Sequence, residues 1–198
     1  MLLDCDIRES LFDFLDDCFG ANRIIEEKVM GKSRADAVMV TPDAIYGIEI
    51  KSDADTYARL QRQVKDYDRF FDYNIVVVGT THAAHIREHI PKHWGVITVD
   101  EVDERPDFYF YVKPKPNPLM KPKKKLSLLW RSELSSIQAK NGMPRYPGKS
   151  KAFVVDKIIE RMNYPVERKG RICGEELMQQ VCAELMERDY SLLRGDEE

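Results

Sequence analysis

The 198-residue chain contains no apolar run approaching the roughly 20 residues that a bilayer-spanning helix needs, so no membrane partner is expected. Cysteine is scarce. Cys5, Cys18, Cys173 and Cys182 are scattered and form no C-x-x-C pair, which argues against a zinc or disulfide framework and for a reducing, cytoplasmic setting. An excess of positive charge is missing too. Net charge is -3, so the chain is not a globally basic nucleic-acid binder, and any DNA contact has to come from a local patch. The opening MLLDCDIRES is acidic where a secretory signal is basic and then apolar, and it predicts no leader. There is no internal repeat. What is present is 43% hydrophobic and 33% charged residues, enough for one sizeable core and a smaller appendage.

Periodicity supplies the elements. Residues 4–19 place Ile7, Leu11, Phe14, Leu15 and Cys18 at helical spacing, and Gly20 ends the helix. RIIEEKVM (23–30), RADAVMVT (34–41) and IYGIEIK (45–51) read as strands, joined by the turns Gly31-Lys32-Ser33 and Thr41-Pro42-Asp43-Ala44. Asp55 is a plausible N-cap for a helix over 56–72 whose apolar stripe is Tyr57, Leu60, Val64, Tyr67 and Phe71. NIVVVGT (74–80) reads as a strand buried on both faces, residues 82–89 as a short helix, and WGVITVD (94–100) as a further strand. This order predicts an α/β fold: a mixed central sheet flanked by helices, over residues 1–112. Composition then changes. KPKPNPLMKPKKK (113–125) has six lysines, four prolines and no acid, and reads as a semi-rigid extended linker. Helical stretches near 126–140, 150–162 and 173–189 predict a small helical C-terminal region, 126–198.

The chemistry is carried by one of three E-x-K tripeptides. Glu26-x-Lys28 and Glu167-x-Lys169 stand in unremarkable company. Glu49-Ile50-Lys51 closes a strongly apolar strand, follows a strand carrying Asp36, and precedes an amphipathic helix. Side chains two apart on a strand share a face, so Glu49 and Lys51 project together. If 41–44 turns the chain, residues equidistant from its centre pair, and Asp36 lies opposite Glu49. Asp43, although it follows a proline, would then sit at the hairpin tip, about 20 Å from Glu49 at about 3.3 Å per residue. Two carboxylates beside a lysine suit metal-assisted phosphodiester hydrolysis. The acids hold Mg²⁺ or Mn²⁺ through hard oxygens, the metal polarises the phosphate and activates water, and the lysine stabilises developing charge.

This pattern resembles the core of the PD-(D/E)XK, or restriction endonuclease-like, nuclease superfamily, over roughly residues 7–100. Gln63-Val-Lys-Asp-Tyr67 is similar to the Q-x-x-x-Y signature of its exonuclease branch, and Arg34-Ala-Asp36 with Glu49-Ile-Lys-Ser-Asp53-Ala-Asp55 and Arg59-Leu60 resembles a group of small bacterial and phage members. Ala35 stands where the name-giving proline would be. The resemblance implies that Asp36 and Glu49 ligate metal with the Ile50 carbonyl as a third protein ligand. It also implies that Lys51 serves the transition state, that Gln63 orients Lys51 or a phosphate, and that Tyr67 stacks or hydrogen-bonds near the same cleft. The reaction implied is cleavage of DNA. An inactive relative that keeps the fold as a nucleic-acid-binding or adaptor module is the alternative, and an RNase a more distant one.

Other residues carry plainer readings. A lone Glu49–Lys51 pair would be an ordinary strand-end salt bridge; Asp36 and Gln63 are what lift it above that. Glu9, Glu26 and Glu27 are candidates for an accessory acid, and Arg34 and Arg59 for phosphate contacts. The linker lysines Lys121, Lys123, Lys124 and Lys125 are either a solvated tether or the missing DNA patch. The four histidines, all between 82 and 93, have no cysteine or paired acid beside them to complete a zinc site.

Overall fold

In the computed structural model, which describes residues 4–51, 59–103 and 105–189, the chain begins with helix α1 (Asp4–Phe19) and a three-strand meander. The meander is β1 (Arg23–Met30), β2 (Ser33–Val40) and β3 (Ile45–Lys51). Helix α2 (Leu60–Phe70) then returns the chain to β4 (Tyr73–Gly79). A 3₁₀ turn (Thr80–His82) and the single-turn helix α3 (Ala83–Ile86) lead to β5 (Gly95–Val102) and β6 (Arg105–Val112). Helices α4 (Pro122–Leu126), α5 (Arg131–Lys140), α6 (Lys151–Met162) and α7 (Gly174–Met186) follow.

The fold is α/β. One six-stranded sheet runs in sequence order from β1 to β6, with β3–β4–β5 parallel at its centre and the outer pairs antiparallel. The central strands β4 and β5 are apolar because helices cover both their faces. On one face α1 lays Ile7, Leu11 and Leu15 against Met39, Ile48, Ile75, Val77 and Ile97. On the other, α2 brings Leu60, Val64, Tyr67 and Phe71 onto Val38, Val40, Val76 and Val78. The C-terminal helices join that second layer: Leu126, Ile137, Val154, Ile158, Leu177 and Val181 belong to the same continuous cluster.

Three expectations are corrected. A sixth strand follows β5, with exposed and half-buried residues alternating along RPDFYFYV. The helix expected over 82–89 shrinks to a 3₁₀ turn and one α-helical turn. The stretch 126–140 is two helices, the first starting within the lysine-rich segment at Pro122, where proline suits a first helical turn. That segment is tied down. Asn117 donates to the Asp68 and Phe71 carbonyls at 2.9 and 2.7 Å, and the Lys121 amide to Arg69 at 3.0 Å. Residues 56–58 of the expected α2, with its Asp55 cap, lie outside the described residues, as does Asp53.

Candidate active site

The hairpin between β2 and β3 sets the register. Thr41 closes the turn by donating its amide to the Ala44 carbonyl at 2.9 Å, and pairing runs Val40↔Ile45, Met39↔Tyr46, Val38↔Gly47, Ala37↔Ile48. The pairing stops there, one step short of Asp36 and Glu49. At this step β2 changes face: Ala35 and Val38 both enter the α2 layer, while Ala37 enters the α1 layer. The strand beside it does the same, since Ile25 and Met30 share the α2 layer although five residues separate them. Between them Glu27, opposite Asp36 by the β1–β2 register, takes the left-handed conformation with φ 52°. A non-glycine residue there carries strain of order 1–3 kcal/mol, which the surrounding contacts must offset. Asp36 Oδ2 accepts the Ile50 amide at 2.8 Å, two residues past the last β2–β3 pair.

Glu49 is fully buried, and its carboxylate receives three donors. Lys51 Nζ lies 2.5 Å from Oε1, Gln63 Nε2 donates to the same oxygen, and the Tyr67 hydroxyl donates to Oε2 at 2.7 Å. Gln63 and Tyr67 are one α2 turn apart, and therefore on one helix face. Tyr67 is itself fully buried and also reaches the Ile48 carbonyl at 3.0 Å. Burial first, then the Glu49 and Asp36 charges, push its hydroxyl well above the ordinary tyrosine range, so it stays a neutral donor. Gly47 makes this packing feasible. A β-carbon there would meet Phe71 at 2.2 Å and Tyr67 at 2.5 Å.

These groups open into a cleft of about 900 Å³ lined by Asp36, Glu49, Ile50, Lys51 and Gln63. Its rim also carries Arg8, Lys32, Arg34, Arg59 and Arg62, so among the described residues six cations with Lys51 face three acids, Glu27, Asp36 and Glu49. On a chain of net charge -3, this is a local basic patch. The β1–β2 turn forms one wall, and α2 fixes it: Asp66 Oδ2 accepts from Ser33 Oγ at 2.8 Å and the Lys32 amide at 3.2 Å. From α1, Arg8 braces Asp36 through its carbonyl at 3.1 Å, and also pairs with Glu26 at 3.2 Å and Glu27 at 3.1 Å. Arg34 pairs with Glu27 at 2.5 Å.

Asp36, Glu49, Ile50, Lys51, Gln63 and Arg34 thus come together in one cleft, with Tyr67 beneath Glu49. Glu27, rather than Glu26, lines it; Glu26 is half-exposed beside Arg8, and Glu9 is exposed. Asp43 borders a different hollow, with Tyr46 and Asp72. The linker lysines are absent from the cleft. Lys121, Lys123 and Lys124 are exposed, Lys123 pairing with Asp156. Lys125 as a DNA contact is corrected outright: it is fully buried, its ammonium 2.6 Å from Asp72 and hidden from any phosphate. His93 is committed to Asp68 at 2.9 Å, and among the described residues no group of three His, Cys, Asp or Glu side chains gathers for a metal. Arg8, Lys32, Arg62 and Asp66 were not foreseen. An N-terminal arginine and a mid-helix aspartate give no local sign of a partner some 28 or 34 residues away.

Mg²⁺ and Mn²⁺ need hard oxygen donors and are often held by only one or two carboxylates plus water, so Asp36, Glu49 and the Ile50 carbonyl fit either ion by chemistry. Three donors on Glu49 fill three of about four acceptor positions on a carboxylate.

Among the described residues no helix is long and apolar enough to cross a membrane. The chain is similar to a structure of SfsA from Pyrococcus furiosus in complex with Ca²⁺, at 14% identity, with 58% of this chain and 62% of that one covered and a TM-score of 0.34. A likeness this distant carries no argument. No curated protein matches the chain. The model of the family described as Bacteriophage P4 protein cII matches residues 3–179, nearly the whole length, and the chain belongs to that family.

Proposed function

We propose that the protein is a divalent-metal-dependent nuclease that hydrolyses DNA phosphodiester bonds. The observation that carries this reading is the convergence of Asp36, Glu49, Lys51 and Gln63, from two strands and a helix, in one cation-rimmed cleft. When bound, the metal would polarise the phosphodiester and lower the pKa of the attacking water. Asp36 and Glu49 supply its carboxylates. Lys51 pairs with Glu49, and with a cation held by Asp36 and Glu49 its ammonium would be placed to face the charge developing on the phosphate. Gln63 and Tyr67 hold the Glu49 carboxylate in place. Arg34, Arg59 and Arg62 attract the backbone.

A second reading, a nucleic-acid-binding module without turnover, draws on the same carboxylate, since three donors on Glu49 would also serve a purely structural pair. One assay separates them. Linear, circular, single-stranded and branched DNA are incubated with Mg²⁺, Mn²⁺ or a chelator, beside Lys51→Ala. Metal-dependent cleavage lost in the variant supports the nuclease. Binding with no cleavage under any condition supports the module, and cleavage equal in wild type and variant points to a contaminant.

A further inference from the structure

Lys28 lies between Glu27 and Val29, both of which line the cleft, but its own side chain runs to the end of α4. There its ammonium is 3.5 Å from the Leu128 carbonyl. Lys151, the first residue of α6, donates to the preceding carbonyl, Ser127, at 2.7 Å. Arg188 also reaches Leu128, at 3.0 Å. Three cations therefore converge on two consecutive carbonyls. Glu133, the acid in their midst, is taken: Arg188 holds both its oxygens at 2.6 and 2.7 Å, and the Trp130 amide adds 2.5 Å. Among the described residues, Lys28 and Lys151 make no ion pair with a carboxylate.

Capping the last carbonyls of a helix is the ordinary work of a lysine. Here α4 has a single five-residue turn, and two lysines and an arginine crowd its end. The crowding is felt by the lysines themselves. Burial, then Arg188 and Lys151, bring Lys28 down to about 8 against the pull of Glu133, and burial with Arg188 lowers Lys151. Beside them a hollow of about 360 Å³ opens, lined by Lys123, Lys124, Ser127, Lys151, Ala152 and Val155. Lys124 and Lys151 are exposed at its rim. Lys123 of that hollow pairs with Asp156 and the buried Arg188 with Glu133, so among the described residues the surplus positive charge rests on Lys28, Lys124 and Lys151, the last two open to solvent.

We propose that Lys28 and Lys151, with Lys124 at the rim, form a second phosphate-binding subsite that grips a nucleic-acid chain where it crosses β1 from the cleft. This rests on the nucleic-acid reading of the cleft. A polyphosphate chain is the ligand that fits, because Lys28 stands on the outer strand β1 between two cleft-lining residues while its side chain leaves on the other side, so that one extended ligand passing over β1 meets both. Successive phosphates of one strand can engage the cleft arginines and this cluster together, which a single anion cannot do.

The test uses Lys151→Gln, which removes the charge and keeps an amide donor for the Ser127 carbonyl, and the double variant Lys28→Gln with Lys151→Gln, each checked for an unchanged far-ultraviolet spectrum. Binding of fluorescein-labelled DNA is followed by anisotropy in chelator, over a series of salt concentrations and pH values. Each phosphate contact contributes about 0.7–0.9 to the slope of log K against log salt, so the double variant should be shallower by about 1.5. Raising pH through about 8 strips the Lys28 proton; wild-type affinity should fall there and the double variant should lack that fall. Unchanged slopes in both variants overturn the subsite, as does binding of wild type to anionic vesicles but not to DNA. The slope change in a protein that never cleaves overturns the nuclease reading and supports the subsite.

Discussion

Two buried acid–lysine pairs sit at different sites on the sheet, and they are built in opposite senses. In Glu49–Lys51 the acid is sealed, with 1% of its side chain exposed, and the lysine at 12% looks into the cleft. In Asp72–Lys125 the lysine is sealed at 1% and the acid keeps 17%. Asp72 also accepts the Ile45 amide at 2.7 Å, so the second pair fastens the start of β3 to α4. A buried ion pair is weak evidence for function, because the same geometry serves as a latch. The surroundings decide. Cations and a second carboxylate ring the first pair, whereas Cys182 and the apolar C-terminal helices close around the second, with burial pushing that thiol up.

Breaking each pair should therefore fail in a different observable. The largest effect is expected at the cleft. Asp36→Asn or Glu49→Gln should lower metal-dependent DNA cleavage by two orders of magnitude or more, about 3 kcal/mol in the barrier, with the far-ultraviolet spectrum unchanged. Retention of full activity by both would remove the site. Lys125→Ala should do the reverse. It strands Asp72 and leaves a hole under α4, costing about 3 kcal/mol in denaturant unfolding, while activity per folded molecule survives. Gly47→Ala links the two regions, since its methyl group must displace Phe71 and Tyr67; a loss of about 1–3 kcal/mol is expected, accompanied by weaker cleavage because Tyr67 leaves Glu49. Tyr67→Phe, which removes only the hydroxyl, should cost about 1–2 kcal/mol, measured by thermal unfolding. The smallest effect is reserved for Asp43→Asn. Asp43 is exposed at the hairpin turn beside another hollow, so cleavage should stay within a factor of two of wild type; abolition there and not at Asp36 would show the site to be misplaced.

How much of this was legible in the sequence follows from how far each interaction reaches. The hairpin register as far as Ala37 and Ile48 was readable because a four-residue turn fixes the pairing of the strands it joins, and the shared face of Gln63 and Tyr67 because helical spacing sets it; the contact of Asp36 with Ile50, past the end of that pairing, was not. The strand β6 had a readable signal in the alternation of Phe108, Tyr109, Phe110 and Tyr111, but its aromatics at the edge of the lysine-rich stretch drew no reading as a strand. Composition misled outright at Lys125. A run of lysines looks solvated, and nothing local shows that one of them meets an aspartate 53 residues earlier. Arg8, Asp66 and Arg188 also act over long separations, 28, 33 and 55 residues. Such contacts exist only once the sheet has brought their elements together.

The left-handed Glu27 also bears on how copies of this molecule treat one another. β1 is an outer strand, and a regular outer strand offers a row of donors and acceptors on which a second chain can add itself, the first step toward aggregation. The turn in the backbone at Glu27 breaks that row in its middle, and Glu26, Glu27 and Lys28 surround the break with charge. At the opposite border Arg105, Pro106 and Asp107 blunt β6 in a similar way. The distortion beside which Asp36 meets β3 therefore also interrupts the open edge of the sheet, and straightening β1 would surrender the Asp36–Ile50 contact and that interruption in one step.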